Sequence, residues 1–296
     1  RRAPGRVTPA VEALAYVGGI LLAVGAAMLI GRWWPRLGTA GHIGVVAAAA
    51  GLACGVGAVI GESDAVTWRL RGFLWALTGA GAAAVGGLVA GEAFGATGPP
   101  VALSAAALGG LTAAVLWWGR ERPLQHLETF VGAAVALGAG IAWIGGHGVL
   151  IGLGLWIQAA SWAALSWQER LPPPIIGFPL GVVTTMVASA VLGSQVEWLA
   201  PLVGLATALG WVGLGVAADE VVALAPGVIG VFVFLPWTLG YFFGERLGAP
   251  VVAMLSGALL LSAIGILTRR GRAMRSGGAA RPRRWAGHAL RPRLHH

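Results

Sequence analysis

Charge is what this sequence has least of. Only 10% of its 296 residues are Asp, Glu, Lys or Arg, where a soluble domain carries about a quarter. No lysine occurs, so all 20 basic residues are Arg, and the acids number only 11. One cysteine, Cys54, stands alone, which excludes an internal disulfide and a cysteine-based zinc site. The strict apolar–polar alternation of a membrane barrel strand is also absent. Apolar residues fill the chain instead, at 57%, with 49 Gly and a mean hydropathy of +0.80. Such a chain meets lipid over most of its length, and a soluble enzyme is ruled out. Abundant Gly, Ala, Val and Arg without Lys point to a GC-rich bacterial genome.

A helix crosses the hydrocarbon with about 20 apolar residues at ~1.5 Å rise each. Ten runs qualify, near 10–31, 38–60, 72–94, 97–118, 126–145, 147–168, 174–193, 196–217, 220–243 and 247–268. The expected fold is therefore all-α, a polytopic transmembrane bundle of about ten spans, with nine to eleven as the range. The joints at Gly146–His147 and Asp219–Glu220 are the tightest and leave room for a re-entrant pair. With the N-terminus inside, inner segments carry 17 Arg and outer loops only 3, Arg32, Arg36 and Arg246. By the positive-inside rule both termini are cytoplasmic, in the bacterial cytoplasmic (inner) membrane. Residues 1–9 read as a short basic cytoplasmic lead-in, 10–268 as the ten-span domain and 269–296 as a disordered Arg-rich tail. The first span is too long for a signal-peptide core and is expected to be retained. The chain opens on Arg1 rather than Met, so a preceding stretch is expected.

Trp33, Trp34, Trp75, Trp117, Trp118, Trp143, Trp167 and Trp198 fall near expected helix ends, where an indole sits half in lipid and half wet. Trp156 and Trp211 lie deeper and read as packing or lipid-facing residues rather than a binding cage. Helices in lipid attract one another by close backbone contact, and GxxxG pairs occur at Gly51–Gly55, Gly87–Gly91, Gly148–Gly152, Gly177–Gly181 and Gly240–Gly244. Pro179, Pro201, Pro226 and Pro236 lie inside spans and favour bends.

A charge at mid-membrane costs at least about 2.5–3.5 kcal/mol and flags function. None sits at a span centre. Glu92 and Glu128 are the deepest acids, and Glu128 is expected to pair with Arg120 or Arg122 at the interface. The mid-span polar residues are Gln158, Ser161, Thr184, Thr185 and Ser189. Gln158 and Ser161 share one helix face, as do Thr185 and Ser189. If those faces meet they line a small polar cavity; the alternative is hydrogen-bonded glue between helices. His42, His126 and His147 read as loop residues without ligand spacing, so no metal is expected. No GxSxG, P-loop or paired-carboxylate constellation occurs, no cofactor is implied, and an enzyme is not expected. The net charge of +9 is concentrated in the tail, where Arg gains about 1 kcal/mol each from anionic lipid headgroups. Nucleic acid is not an expected partner; the lipid bilayer is.

The run Val11-Glu12-Ala13-Leu14-Ala15-Tyr16-Val17-Gly18-Gly19, followed by Arg32-Trp33-Trp34-Pro35-Arg36-Leu37-Gly38, resembles bacterial membrane proteins grouped as domain of unknown function 2157. Matching pieces recur at 68–75, 122–125, 171–174 and 243–251, so the resemblance spans about residues 8–268. It implies kinship and supplies no catalytic or binding residues. Ten spans with both ends inside are also similar in architecture to EamA-type drug/metabolite transporters. Gly244-Glu245-Arg246 before the tenth span fits their motif, and Gly119-Arg120-Glu121-Arg122 before the fifth departs from it. The expected function is a non-enzymatic membrane scaffold or assembly partner. The alternative is a ten-helix transporter of a small neutral or apolar metabolite.

Overall fold

The computed structural model describes residues 30–61, 65–118 and 122–243, with isolated positions at 17, 21, 24, 25, 28, 251, 254, 257, 258 and 262. Most of these residues are helical, and none of them is in a strand. After a short 3-10 turn at Trp34–Arg36 come α1 (Thr39–Val59), α2 (Ala65–Leu88), α3 (Pro99–Trp117) and α4 (Pro123–Trp143). They are followed by α5 (Gly148–Trp167), α6 (Pro174–Leu192), α7 (Leu199–Ala218) and α8 (Val221–Phe243). All 8 are long and apolar enough to cross a membrane. They correspond to the second through ninth expected spans. The first and tenth fall largely outside the described residues, as do the whole basic lead-in and the Arg-rich tail.

Local sequence sets the helix boundaries. α3, α4 and α6 each open on proline in the first turn, where the missing N–H would have had no partner anyway. Pro201 likewise falls in the first turn of α7 rather than inside a span. Pro179, Pro226 and Pro236 do lie within α6 and α8. The two tight joints are ordinary turns between full-length helices. Gly145, with φ of 81°, turns the chain between α4 and α5, and Asp219, with φ of 56°, does so between α7 and α8. α2 starts at Ala65, well before the expected residue 72, and continues past Leu88 into a π turn at Val89–Ala93. The longer helix carries Trp75 into the interior, where it is 4% exposed. The expectation of an interfacial Trp75 is corrected accordingly.

Sequential helices pair closely, most of all α5 with α6, α3 with α4, and α7 with α8. α2 also touches α4, and α6 touches both α4 and α8. The packing reverses the size order of a soluble protein. Buried apolar positions are mostly alanine, including Ala113, Ala159, Ala163, Ala188, Ala200 and Ala208, while Val59, Leu111 and Val115 point outward. Large apolar side chains gain nothing by leaving lipid for protein, so small residues take the interfaces and let backbones touch.

Glycine marks the tightest of these contacts. A Cβ on Gly132 of α4 would sit 2.6 Å from the Cα of Gly110 on α3. One on Gly215 would meet the Leu224 backbone N at 2.6 Å, and one on Gly227 the Val212 N at 2.7 Å. Of the expected GxxxG pairs, Gly148–Gly152 and Gly177–Gly181 fill such contacts along α5 and α6. Gly51 and Gly55 of α1 face open space, and Gly87 and Gly91 make only ordinary contacts. Gly240 also meets nothing, and Gly244 lies outside the described residues.

Candidate functional site

The start of α4 gathers a polar group within the bundle: Arg122 at the helix cap, then Gln125, His126 and Glu128. Arg122, Gln125 and His126 are at most 1% exposed. The 3.6-residue repeat divides them between two faces. Arg122, Gln125 and Glu128 turn toward α2, whereas His126 turns toward α5 and α6.

On the α2 side, Arg122 Nη1 donates to the Trp68 carbonyl at 2.9 Å, and Gln125 Nε2 donates to the Gly72 carbonyl at 2.9 Å. The Arg122 guanidinium lies 5.0 Å from the Trp75 ring centroid, with Arg71 4.5 Å from the same ring. Glu128 reaches Gly79, where a Cβ would stand 2.7 Å from its Oε2. Of the two arginines expected to pair with Glu128, Arg122 does not. Arg122 is committed to Trp68 and Trp75, Arg120 lies outside the described residues, and Glu128 Oε2 is buried with no hydrogen-bond partner. Gln125 Oε1 is in the same condition.

On the other side, His126 is a buried junction and not a loop residue. Its Nδ1 donates to the Pro172 carbonyl at 3.0 Å, and its Nε2 accepts from Trp162 Nε1 at 2.8 Å. One nitrogen donates and the other accepts, which is the pattern of the neutral ring with its proton on Nδ1. Trp117 Nε1 donates to the same Pro172 carbonyl at 2.8 Å. Ser166 Oγ and the His126 ring crowd Gly177 of α6, where no side chain would fit. Four helices and the α5–α6 connection thus meet around one imidazole.

At the opposite helix ends, Glu92 in the π turn pairs with His42 of α1. His42 Nδ1 lies 2.7 Å from Glu92 Oε2, and Nε2 lies 2.9 Å from the Trp34 carbonyl. Trp34 stacks on the ring at 4.1 Å. Both nitrogens face acceptors, so both serve as donors. His42 is therefore in a helix and engaged, which corrects its reading as a loop residue.

The five mid-span polar residues are not gathered at one place. Gln158 points to α4, with Nε2 3.4 Å from the Phe130 carbonyl, and its Oε1 has no partner. Ser161 is exposed and Thr184 is half-buried. Thr185 and Ser189 are buried. Thr185 Oγ1 accepts from Trp211 Nε1 at 2.8 Å and donates to the Val182 carbonyl at 2.6 Å, while Ser189 bonds the Thr185 carbonyl at 2.8 Å. Trp156 Nε1 similarly reaches Thr207 Oγ1 at 3.0 Å, so both deep tryptophans pack as expected. Of the α4 cluster, by contrast, sequence reasoning singles out only Glu128. The cluster's signal was the crowding of Arg122, Gln125, His126, Glu128 and Thr129 into two turns of an otherwise apolar helix. Among the described residues no three His, Cys, Asp or Glu side chains come together as a metal site. Compared with family models, with curated proteins and with solved structures, the chain has no match in any of the three.

Proposed function

We propose that the protein is a non-enzymatic multi-pass membrane protein that works as a scaffold or assembly partner in a bacterial cytoplasmic membrane. In this reading the eight described helices belong to a ten-span bundle with both termini inside, akin to the domain of unknown function 2157 proteins. The arginine distribution supports the orientation, and the anionic leaflet is the expected partner of the tail.

The observation that carries the reading is how α6, α7 and α8 spend their polar groups, joined by Trp156 of α5. Thr185, Ser189, Thr207, Thr238 and the indoles of Trp156 and Trp211 are bonded to neighbouring helices or to their own backbone. Gly204, Gly215 and Gly227 bring helices into direct contact between them. A tightly packed interior suits a body that holds a shape for others. A carrier needs a wet site at the midplane.

The test is aqueous maleimide labelling of single-cysteine variants in a Cys54→Ser background, with cysteines at Gln158, Thr185 and Ser189. Thiols that react only after denaturation are expected. Labelling in intact membranes refutes the packed scaffold and favours the second reading, a transporter of a small metabolite. One observation supports that second reading: Glu128 sits inside the bundle with no partner for its buried oxygen.

A further inference from the structure

We propose that Glu128 is a proton-binding site within the bundle, taking up and releasing H⁺ at its carboxylate in a slot that Gly79 of α2 leaves open. This goes beyond the scaffold reading and uses none of the residues on which that reading rests. A carboxylate inside a membrane protein normally finds a cation or a donor, because leaving it bare is costly. No donor on this face reaches Glu128 Oε2. Arg122 bonds the Trp68 carbonyl and stacks on Trp75, and the Gln125 amide nitrogen bonds the Gly72 carbonyl.

What remains on this face of α4 is a pair of acceptors one turn apart. Gln125 is 0% exposed and its Oε1 has no partner. Glu128 Oε2 is buried and likewise unpartnered. Two acceptors without a donor call for a species that brings hydrogen. Gly79 gives the carboxylate its room, since a Cβ at position 79 would stand 2.7 Å from its Oε2. α3 and α4 touch through Gly110 and Gly132 one turn further on.

The surrounding charges select a proton over a metal ion. From α2 the charged groups are Arg69 and Arg71, from α4 Arg122, and His126 of α4 is turned away to Trp162 and Pro172. α3 and α5 contain no charged residue. Two side-chain oxygens are far fewer than the six to eight a calcium ion takes, and the arginines oppose a second fixed cation. A proton adds to one carboxylate oxygen, neutralises it, and makes it a donor while no other bond changes.

The experiment uses dicyclohexylcarbodiimide on the purified full chain in lipid vesicles, read by peptide mass spectrometry. The protonated carboxyl adds across one C=N bond, oxygen to carbon and hydrogen to nitrogen, then rearranges to a stable acylurea with nothing lost. The expected result is an adduct on Glu128 whose yield falls at least tenfold as pH rises, while Glu92, held by His42, stays unlabelled. Glu128→Gln removes the adduct with the far-UV circular dichroism unchanged. No adduct on Glu128 at any pH in the folded protein overturns the proposal, as does equal labelling of Glu92 and Glu128. Protection of Glu128 by added Na⁺ or K⁺ at constant pH also overturns it, by showing a metal-cation site instead. None of these outcomes alters the maleimide result at Gln158, Thr185 and Ser189, so the two readings fail separately.

Discussion

Replacing His126 by Leu removes the acceptor of the Trp162 indole and one of the two donors to the Pro172 carbonyl. The carbonyl keeps Trp117 as a donor, so its share of the loss is small. Leu fills most of the ring's volume, which limits the cavity. The main cost is the Trp162 N–H, left among apolar neighbours with nothing to bond. A buried donor stranded in this way costs about 1–3 kcal/mol. Interhelical hydrogen bonds in bilayers average nearer 0.6 kcal/mol, because the membrane-inserted unfolded state also finds partners. Trp162 is only part-buried, so we expect about 1–2 kcal/mol. Trp162→Phe alone strands the His126 Nε2 acceptor and should cost a similar amount. The pair together strands nothing. The double variant should therefore be more stable than the sum of the singles by about 1 kcal/mol, well above the ~0.3–0.5 kcal/mol scatter of independent sites. The assay is unfolding in mixed micelles followed by far-UV circular dichroism. Strict additivity would refute the claim that this hydrogen bond organises the junction.

Ser166→Ala deletes a buried hydroxyl with no partner; it should leave stability unchanged or raise it by up to about 1 kcal/mol, seen as an equal or higher melting temperature. Gly132→Ala places a methyl against the Gly110 backbone, which cannot step aside, and should cost about 1–3 kcal/mol. Gly51→Ala meets nothing and should match or exceed the parent in the same melt. Thr185→Val takes the acceptor from Trp211 and should cost about 1 kcal/mol, relieved when Trp211→Phe is added. Glu92→Gln removes the charge facing His42 across a partly exposed contact; a small drop in melting temperature is expected, and it should vanish in high salt.

Helix class and span positions were legible because lipid imposes one rule over 20 residues at a time, and runs such as 199–218 obey it without interruption. Boundaries were less legible where polar residues continue a helix. The third expected span begins at residue 72, yet Trp68, Arg69 and Arg71 form the first turns of α2. The orientation of single side chains was the least visible. Gln158 and Ser161 were rightly placed on one strip of helix by spacing, but Ser161 is exposed while Gln158 faces Phe130 of α4. Spacing fixes which residues share a side and says nothing about which neighbour that side meets. Gly51–Gly55 shows the same gap: the pattern is there, and no helix among the described residues uses it. Glu128 was singled out as a deep acid, and only the assembled bundle shows that its nearest arginine is engaged elsewhere.

The junction at Pro172 has a mechanical consequence. Its carbonyl is held from α3 by Trp117 and from α4 by His126, and His126 is in turn gripped from α5 by Trp162. Two hairpins, α3–α4 and α5–α6, are thereby riveted together at one end. Toward the opposite end of the pair, the α4–α5 contact consists of apolar side chains such as Leu137, Ile141 and Ile151 around Gly138 and Gly154. Such a surface slides or parts without breaking a hydrogen bond. Any rocking of one hairpin against the other that spares the rivet must pivot there, opening like a clothes-peg at the far end and keeping the His126 end shut.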